Sequence, residues 1–146
     1  MALGWSDDDG AAERDRLVGW LATGEAGMRF SLPDDPDQVR GADLLYLTPA
    51  QVARHAAVLV DDYLPEAPAL VAEVISPCES SARIHEKVSD YLAGGAYLVW
   101  CLYAQTRAVT VHRPDLPPYT IPPDGVLDGA DVLPGFTVTL RNLFPW

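Results

Sequence analysis

Residues 69–77 read Ala-Leu-Val-Ala-Glu-Val-Ile-Ser-Pro and set one acid, Glu73, inside an apolar run. A run of this length that ends at Ser76-Pro77 predicts a strand buried on both faces. Burying an unpaired carboxylate is costly, so such groups are normally neutralised, paired or bound to metal. Glu73 is therefore a candidate functional residue, although the pattern also allows an edge carboxylate that faces solvent.

The helix predicted after this strand carries the only lysine of the chain, Lys87. A serine at 80 or 81 can cap its start, and Gly94-Gly95 end it near residue 93. One face of the helix is apolar at the spacing of a buried stripe, formed by Ile84, Val88, Tyr91 and Leu92. Lys87 lies beside that stripe, so its side chain can extend towards the end of the preceding strand.

A second acid, Asp43, stands near the start of another apolar strand, at residues 42–47. Two carboxylates at strand level and one amine facing them from a helix are the minimum set for holding a divalent metal and activating water for phosphodiester hydrolysis. The plain alternative is that Asp43 merely starts a strand. In that case the lone lysine reflects a composition rich in arginine.

The rest of the chain alternates short elements with turns, within one predicted domain over residues 11–146. In the first part of the chain we predict a flexible acidic lead over residues 1–10, a helix over 11–21 ended by Gly24 and Gly27, a strand over 28–32 and a turn over 33–37. A helical turn over 50–54, started by Thr48-Pro49, and a loop over 55–68 precede the strand around Glu73. After the helix that carries Lys87 we predict strands over 97–103 and 108–113, a turn-rich tail over 125–136 and a closing helical turn over 140–144.

Composition weighs against tight binding of nucleic acid, because the net charge is −11 and nucleic-acid binders usually present a basic face. Five basic residues lie near the candidate site in sequence: Arg29, Arg40, Arg54, Arg83 and Lys87. A divalent cation or a second subunit would have to assist binding. We therefore expect a homodimer, with residues 97–103 and 108–111 or the turn-rich tail as contacts.

Other sequence features indicate a cytoplasmic protein. No apolar run approaches the roughly 18 residues that cross a bilayer, so we expect no membrane association. The start has neither the basic residues nor the apolar stretch of a signal peptide. Cys78 and Cys101 form no metal-type pair and are expected to be reduced thiols.

Four ordered segments are distinctive: Pro33-Asp34-Asp35-Pro36-Asp37 ahead of Arg40-Gly41-Ala42-Asp43; Glu73-Val74-Ile75-Ser76-Pro77; Glu86-Lys87-Val88 with Tyr91-Leu92-Ala93-Gly94-Gly95; and Val126-Leu127-Asp128-Gly129 with Asp131-Val132-Leu133-Pro134-Gly135-Phe136. Together they resemble the Uma-type family of restriction-endonuclease-like proteins over roughly residues 24–144. The resemblance implies the α/β (α+β) fold of the PD-(D/E)xK nucleases, a mixed central sheet flanked by helices.

The resemblance also implies a catalytic set of Asp43, Glu73, Lys87 and Tyr91. Asp43 and Glu73 would bind Mg²⁺ or Mn²⁺, with the carbonyl of Val74 as a further ligand. Lys87 would position or deprotonate the attacking water and stabilise charge on the phosphate, and Tyr91 would orient Lys87. The general pattern has its lysine two positions after the glutamate, where this chain has Ile75, so the amine comes from the helix instead.

Two function classes follow. The first is a Mg²⁺-dependent endonuclease that acts on nucleic acid, with weakly bound DNA as the expected substrate. The second is a catalytically silent domain of the same fold that binds a partner or regulates a relative. The presence of Asp43, Glu73 and Lys87 favours the nuclease. The acidity favours the silent domain. So does the lack of a clear counterpart for an acid that related nucleases carry on their first helix, for which Glu13 and Glu25 are only weak candidates.

Overall fold

The computed structural model describes residues 19–30, 32, 38–56 and 63–146. In chain order the elements are β1 (Trp20–Phe30), β2 (Gln38–Leu47), α1 (Pro49–His55), β3 (Leu70–Val74), α2 (Ser81–Ala93), β4 (Leu98–Tyr103), β5 (Ala108–Arg113), β6 (Leu116–Ile121), β7 (Val126–Asp128), β8 (Thr137–Thr139) and α3 (Leu140–Leu143). The predicted lead over residues 1–10 and turn over 33–37 lie outside the described residues.

The central sheet is mixed and mostly antiparallel, with strands in the order β1-β2-β3-β4-β5-β6. Among the named strands of the described residues, only β3 and β4 pair in parallel, with Val71 opposite Val99. Parallel neighbours need a crossover connection, and α2 provides it. The predicted mixed sheet flanked by helices is thus confirmed.

The sheet has an apolar core on each face, because side chains alternate between faces along each strand. Leu45, Val71 and Val99 pack with Val88 and Tyr91 of α2 on one face. The opposite face is covered by β7, β8 and α3, whose buried side chains include Leu127 and Leu140. The candidate site lies at the margin of the α2-side core.

The helix boundaries agree with the predicted caps. Thr48 and Gln51 form a capping box at the start of α1, and Ser80 caps α2 by accepting the Arg83 N–H. Gly94 ends α2, and Gly95 follows with a φ of +108°, a conformation that favours glycine. Strong local signals therefore fix the helix that carries Lys87.

The prediction of a helix over residues 11–21 is wrong at its end, because Trp20 and Leu21 belong to β1. The register of β1 with β2 shifts between Thr23 and Ala26. Glycine inside a strand often marks such a bulge, so Gly24 belongs to an irregular strand and does not end a helix. Residues 11–18 lie outside the described part of the chain.

The strands β6, β7 and β8 were not predicted. Pro117 and Pro118 in β6 argue against a central strand, and β6 indeed lies at an edge of the sheet, where proline is tolerated. The other two form a short hairpin of three residues a strand. Strands this short leave little periodic signal in the sequence.

The strands proposed as dimer contacts are internal. Both β4 and β5 pair with neighbours on each side, and residues 98–101 of β4 are buried. These strands therefore have no free edge to pair with a strand of a second subunit, and the expected dimer, with the turn-rich tail as its other expected contact, stays a prediction. Among the described helices, none combines the length and the apolar character that a membrane crossing needs.

Candidate active site

Asp43 and Glu73 lie side by side on neighbouring strands. The last paired residues of β2 and β3 on this side are Leu44 and Ala72, so the two acids come next along their strands. By alternation, Asp43 shares the face of Leu45 and Glu73 shares the face of Val71, which is the face covered by α2. The two carboxylates therefore lie on the same face of the sheet, where the strands stop pairing.

The Asp43 carboxylate occupies the gap between the two strands. Its Oδ2 accepts the backbone N–H of Val74 at 2.8 Å. Asp43 is exposed, whereas Glu73 is only 5 % exposed. The pair thus combines an accessible acid with a buried one.

Tyr91 holds the buried acid from the helix side. Its hydroxyl is fully buried, donates to Glu73 Oε1 at 2.5 Å and lies 3.1 Å from the carbonyl oxygen of Gly41. A phenol has one proton to donate, and a charged carboxylate is the stronger acceptor. Tyr91 therefore contacts Glu73 itself, which differs from the predicted role of orienting Lys87.

Lys87 lies one helical turn before Tyr91 on α2, and its side chain also extends towards Glu73. Its Nζ lies 3.6 Å from Glu73 Oε2 and 2.8 Å from Glu79 Oε1. Glu79, in the turn between β3 and α2, was not predicted as a site residue. It contacts a residue eight positions later, across the turn and the start of the helix, and no simple sequence period indicates such a contact.

The electrostatics of Glu73 are set mainly by burial. Burial raises the pKa of Glu73, and the charges of Asp43 and Glu79 raise it further. The Tyr91 hydrogen bond and the Lys87 ammonium act in the opposite direction without cancelling the rise. A proton or another cation is therefore favoured at this carboxylate.

The pKa values of Lys87 and Tyr91 are shifted by the same cluster of charges. Burial lowers the pKa of Lys87, but the hydrogen bond to Glu79 and the charge of Glu73 outweigh it, so the pKa is raised overall. Burial and the bond to Glu73 raise the pKa of Tyr91. Lys87 is consequently an ammonium and Tyr91 a neutral donor at neutral pH.

The donor set fits a magnesium-type ion. Hard cations prefer oxygen ligands, and Mg²⁺ is often held by one or two carboxylates while it keeps several waters. Asp43 and Glu73 supply such carboxylates. Among the residues that the structure describes, no group of three or more His, Cys, Asp or Glu is arranged to enclose a metal. The described residues therefore do not form a closed structural metal site.

A protein-family model matches most of this chain. A model named Uma2, described as "Putative restriction endonuclease", matches residues 10–141. The chain belongs to the Uma2 family. The sequence resemblance is thereby confirmed, and the description of the family supports a nuclease-like function.

A solved structure confirms the fold of this Uma2 member. The crystal structure of a "putative nuclease belonging to DUF820" from Anabaena variabilis is similar with a TM-score of 0.76 and 17 % sequence identity. The likeness covers 91 % of this chain and 72 % of that chain. A comparison with curated proteins found no match.

Two of the arginines that lie near the site residues in sequence are engaged by acids. Arg40 of β2 donates from Nε and Nη2 to Asp90 Oδ2 at 2.8 and 2.6 Å, and from Nη2 to Glu86 Oε1 at 3.0 Å. Arg54 pairs with Glu66 at 2.8 Å. The Arg40 pairs fasten α2 to β2 and so help to hold the site, but they reduce the basic surface that the sequence suggested.

A cleft of about 370 Å³ opens beside the site, between α2 and the strands β4 and β5. Glu79 lines it, together with His85, Thr110 and His112. Among the described residues that line this cleft, none is a lysine or an arginine. Burial lowers the pKa of His112, and His85 nearby lowers it further, so this imidazole is neutral at neutral pH.

Proposed function

We propose that this Uma2 protein is a Mg²⁺-dependent endonuclease that hydrolyses phosphodiester bonds of nucleic acid. The observation that carries the proposal is the convergence of Asp43, Glu73 and Lys87 on one face of the sheet, with Lys87 Nζ 3.6 Å from Glu73 Oε2. Carboxylates that come together beside an amine, with a buried acid of raised pKa, are typical of functional sites.

In this proposal Asp43 and Glu73 hold the metal, with the Val74 carbonyl as a further ligand. A bound Mg²⁺ or Mn²⁺ would supply Lewis-acid polarisation of the phosphate and a water of lowered pKa. Tyr91 binds Oε1 of Glu73 and thereby directs Oε2 towards Lys87. The Lys87 ammonium stabilises negative charge that develops on the phosphate.

The raised pKa of Lys87 bears on its role. An amine that stays protonated cannot remove a proton from water, so of the three roles considered from sequence, charge stabilisation and water positioning are favoured over deprotonation. The attacking water then loses its proton to another base or to bulk solvent.

We propose DNA as the substrate, weakly bound, and a homodimer as the working form. With a net charge of −11, one subunit attracts phosphate poorly. A second subunit would lengthen the contact surface. Light scattering at micromolar concentration should report a dimer; a monomer at every concentration tested would contradict this part of the proposal.

The activity is tested with supercoiled plasmid, linear duplex and single strands in the presence of Mg²⁺ or Mn²⁺. Wild type should nick slowly and with little sequence preference. Lys87→Ala should abolish turnover yet retain metal binding, because the amine acts on water and phosphate; Glu73→Ala should lose both. Arg141→Ala, an exposed cation on α3 at the opposite face, is the control for loss of one positive charge.

The alternative is a catalytically silent domain that binds a partner. The net charge favours it, and so does the engagement of Lys87 by Glu79 at 2.8 Å, which occupies the amine. Metal binding without cleavage of any substrate would establish this alternative. Cleavage by Lys87→Ala at the wild-type rate would instead refute the role assigned to the lysine.

A further inference from the structure

We propose that Glu79 is the positioning residue that holds the Lys87 amine at the active site. This inference rests on the proposed nuclease function for its kinetic consequence. Its structural content is independent of that function. Glu79 Oε1 lies 2.8 Å from Lys87 Nζ, which is closer than the 3.6 Å from Nζ to Glu73 Oε2.

The need for such a residue follows from where the lysine is attached. The PD-(D/E)xK pattern places its lysine on the strand, two residues after the glutamate, so that strand geometry aims the side chain. Here that position is Ile75, whose side chain is buried in the α2-side core. Lys87 must reach the site from a helix through a flexible stem, and fixing such a side chain costs rotamer entropy.

Glu79 is well placed to fix that stem because its own backbone is fixed. The Glu79 N–H donates to the carbonyl of Ser76 at 3.0 Å, which closes the turn after β3. The next residue, Ser80, caps α2. The Glu79 side chain is only 12 % exposed, so it is largely shielded from competing water.

The contacts of Lys87 leave capacity for a substrate. An ammonium has three N–H donors. Glu79 lies within hydrogen-bond distance of the ammonium at 2.8 Å, and Glu73 lies at ion-pair distance at 3.6 Å, so N–H donors remain for a water or a phosphate oxygen. Glu79 therefore sets where the amine stands and in which directions its remaining donors point.

Two other roles for Glu79 make different predictions. As a third metal ligand it would form a cluster with Asp43 and Glu73, but the described residues contain no such three-member group. As an inhibitory clamp it would withhold the amine from substrate, and its removal would then raise the rate. As a positioning residue its removal lowers kcat and leaves metal affinity unchanged.

The kinetic test compares Glu79→Ala and Glu79→Gln with a matched control, Glu86→Gln. Glu86 is next to Lys87 in sequence, is exposed and contacts Arg40 together with Asp90, so Glu86→Gln removes the same charge without touching the amine while Asp90 still holds Arg40. Glu79→Ala should lower kcat about 10- to 100-fold, the range for residues that orient a functional group. KM and metal affinity should match those of Glu86→Gln, and Glu79→Gln, which keeps an oxygen acceptor, should recover most of kcat.

The second readout is an NMR measurement of the Lys87 side chain, which does not depend on activity. The measurement is simple because the chain has a single lysine. In protein labelled with ¹³C-lysine, every Cε signal in an NMR spectrum belongs to Lys87, so no assignment is needed. An immobilised side chain gives two resolved Hε shifts, and free rotation averages them. We expect two shifts in wild type and Glu86→Gln, and one averaged shift in Glu79→Ala.

The outcomes separate the inference from the proposed function. Averaged Hε shifts in wild type, or an unchanged pair in Glu79→Ala, would overturn the positioning role. An equal or higher kcat in Glu79→Ala would overturn it in favour of the clamp, and lost metal affinity would overturn it in favour of a ligand. If wild type does not cleave, the nuclease proposal fails, and the NMR comparison alone decides whether Glu79 positions the amine.

Discussion

The hydrogen bond between Tyr91 and Glu73 predicts a stability loss that depends on pH. Tyr91→Phe removes only the hydroxyl that donates to Glu73 Oε1 at 2.5 Å, and it leaves a ring of nearly the same shape in the core. A hydrogen bond to a charged group contributes about 1.5–3 kcal/mol, and a bond between neutral groups about 0.5–1.5 kcal/mol. The cost should therefore be larger when Glu73 is ionised.

The direction in which this stability loss changes with pH follows from proton linkage. The Tyr91 bond lowers the pKa of Glu73 against the rise caused by burial. In the variant, folded Glu73 retains its proton to higher pH, whereas the unfolded states of the two proteins are alike. The free energy of unfolding of the variant therefore falls further below that of wild type as pH rises through the Glu73 pKa.

Urea unfolding in EDTA at several values between pH 5 and 8.5 measures this difference. We expect a loss of about 1 kcal/mol at the acid end and about 2–3 kcal/mol at the basic end. Tyr97→Phe is the control, because Tyr97 is 64 % exposed and its substitution should stay within about 0.5 kcal/mol at every pH. A loss that is constant with pH, or larger at pH 5, would refute the assignment of the hydroxyl to the ionised carboxylate.

Four further predictions concern stability and accessibility. With EDTA present, wild type should lose stability as pH rises above the ordinary pKa range of glutamate, because the raised pKa of Glu73 means that the folded state binds this proton more tightly than the unfolded state does. Glu73→Gln should flatten this dependence of stability on pH in urea titrations. Mg²⁺ or Mn²⁺ at 100 times its Kd should stabilise wild type by about 2.7 kcal/mol in thermal unfolding, and Asp43→Asn should abolish the effect. Gln51→Leu should cost about 2–4 kcal/mol by urea unfolding, since the buried Gln51 amide binds the Ala67 carbonyl and the Ala69 N–H, both at 3.1 Å; a loss below 1 kcal/mol would contradict this. A thiol reagent should titrate Cys78 in the native protein and Cys101 only after unfolding, because burial raises the pKa of Cys101 to about 12; rapid reaction of two thiols would contradict this.

The elements that sequence predicted well are those with strong local signals. The strand around Glu73 and the helix around Lys87 were predicted from an apolar run, a serine cap and a glycine pair, each of which acts within a few residues. The elements that were missed depend on distant partners. Strand β1 tolerates Gly24 because β2 pairs with it, and β6 tolerates Pro117 because it lies at the sheet edge.

The same distinction applies to the candidate site. Asp43, Glu73 and Lys87 could be selected because each is a charged residue in an unusual local context. Their convergence depends on the β2–β3 pairing, which no spacing reveals. Glu79 and the direct contact of Tyr91 with Glu73 were missed because both arise from the way α2 folds back over the sheet.

The charge balance of the site explains why its residues are so firmly held. Glu73 and Glu79 share one lysine while Asp43 lies beside Glu73, and the rise in the Glu73 pKa reflects in part the repulsion among these three carboxylates. Such repulsion destabilises the folded state, so the surrounding structure must oppose it. The Arg40 pairs to Asp90 and Glu86 fasten α2 to β2, and the Tyr91 hydroxyl ties Glu73 to the same helix. A sheet and helix joined in this way keep the two proposed metal ligands together without an ion, which lowers the reorganisation that binding one would require.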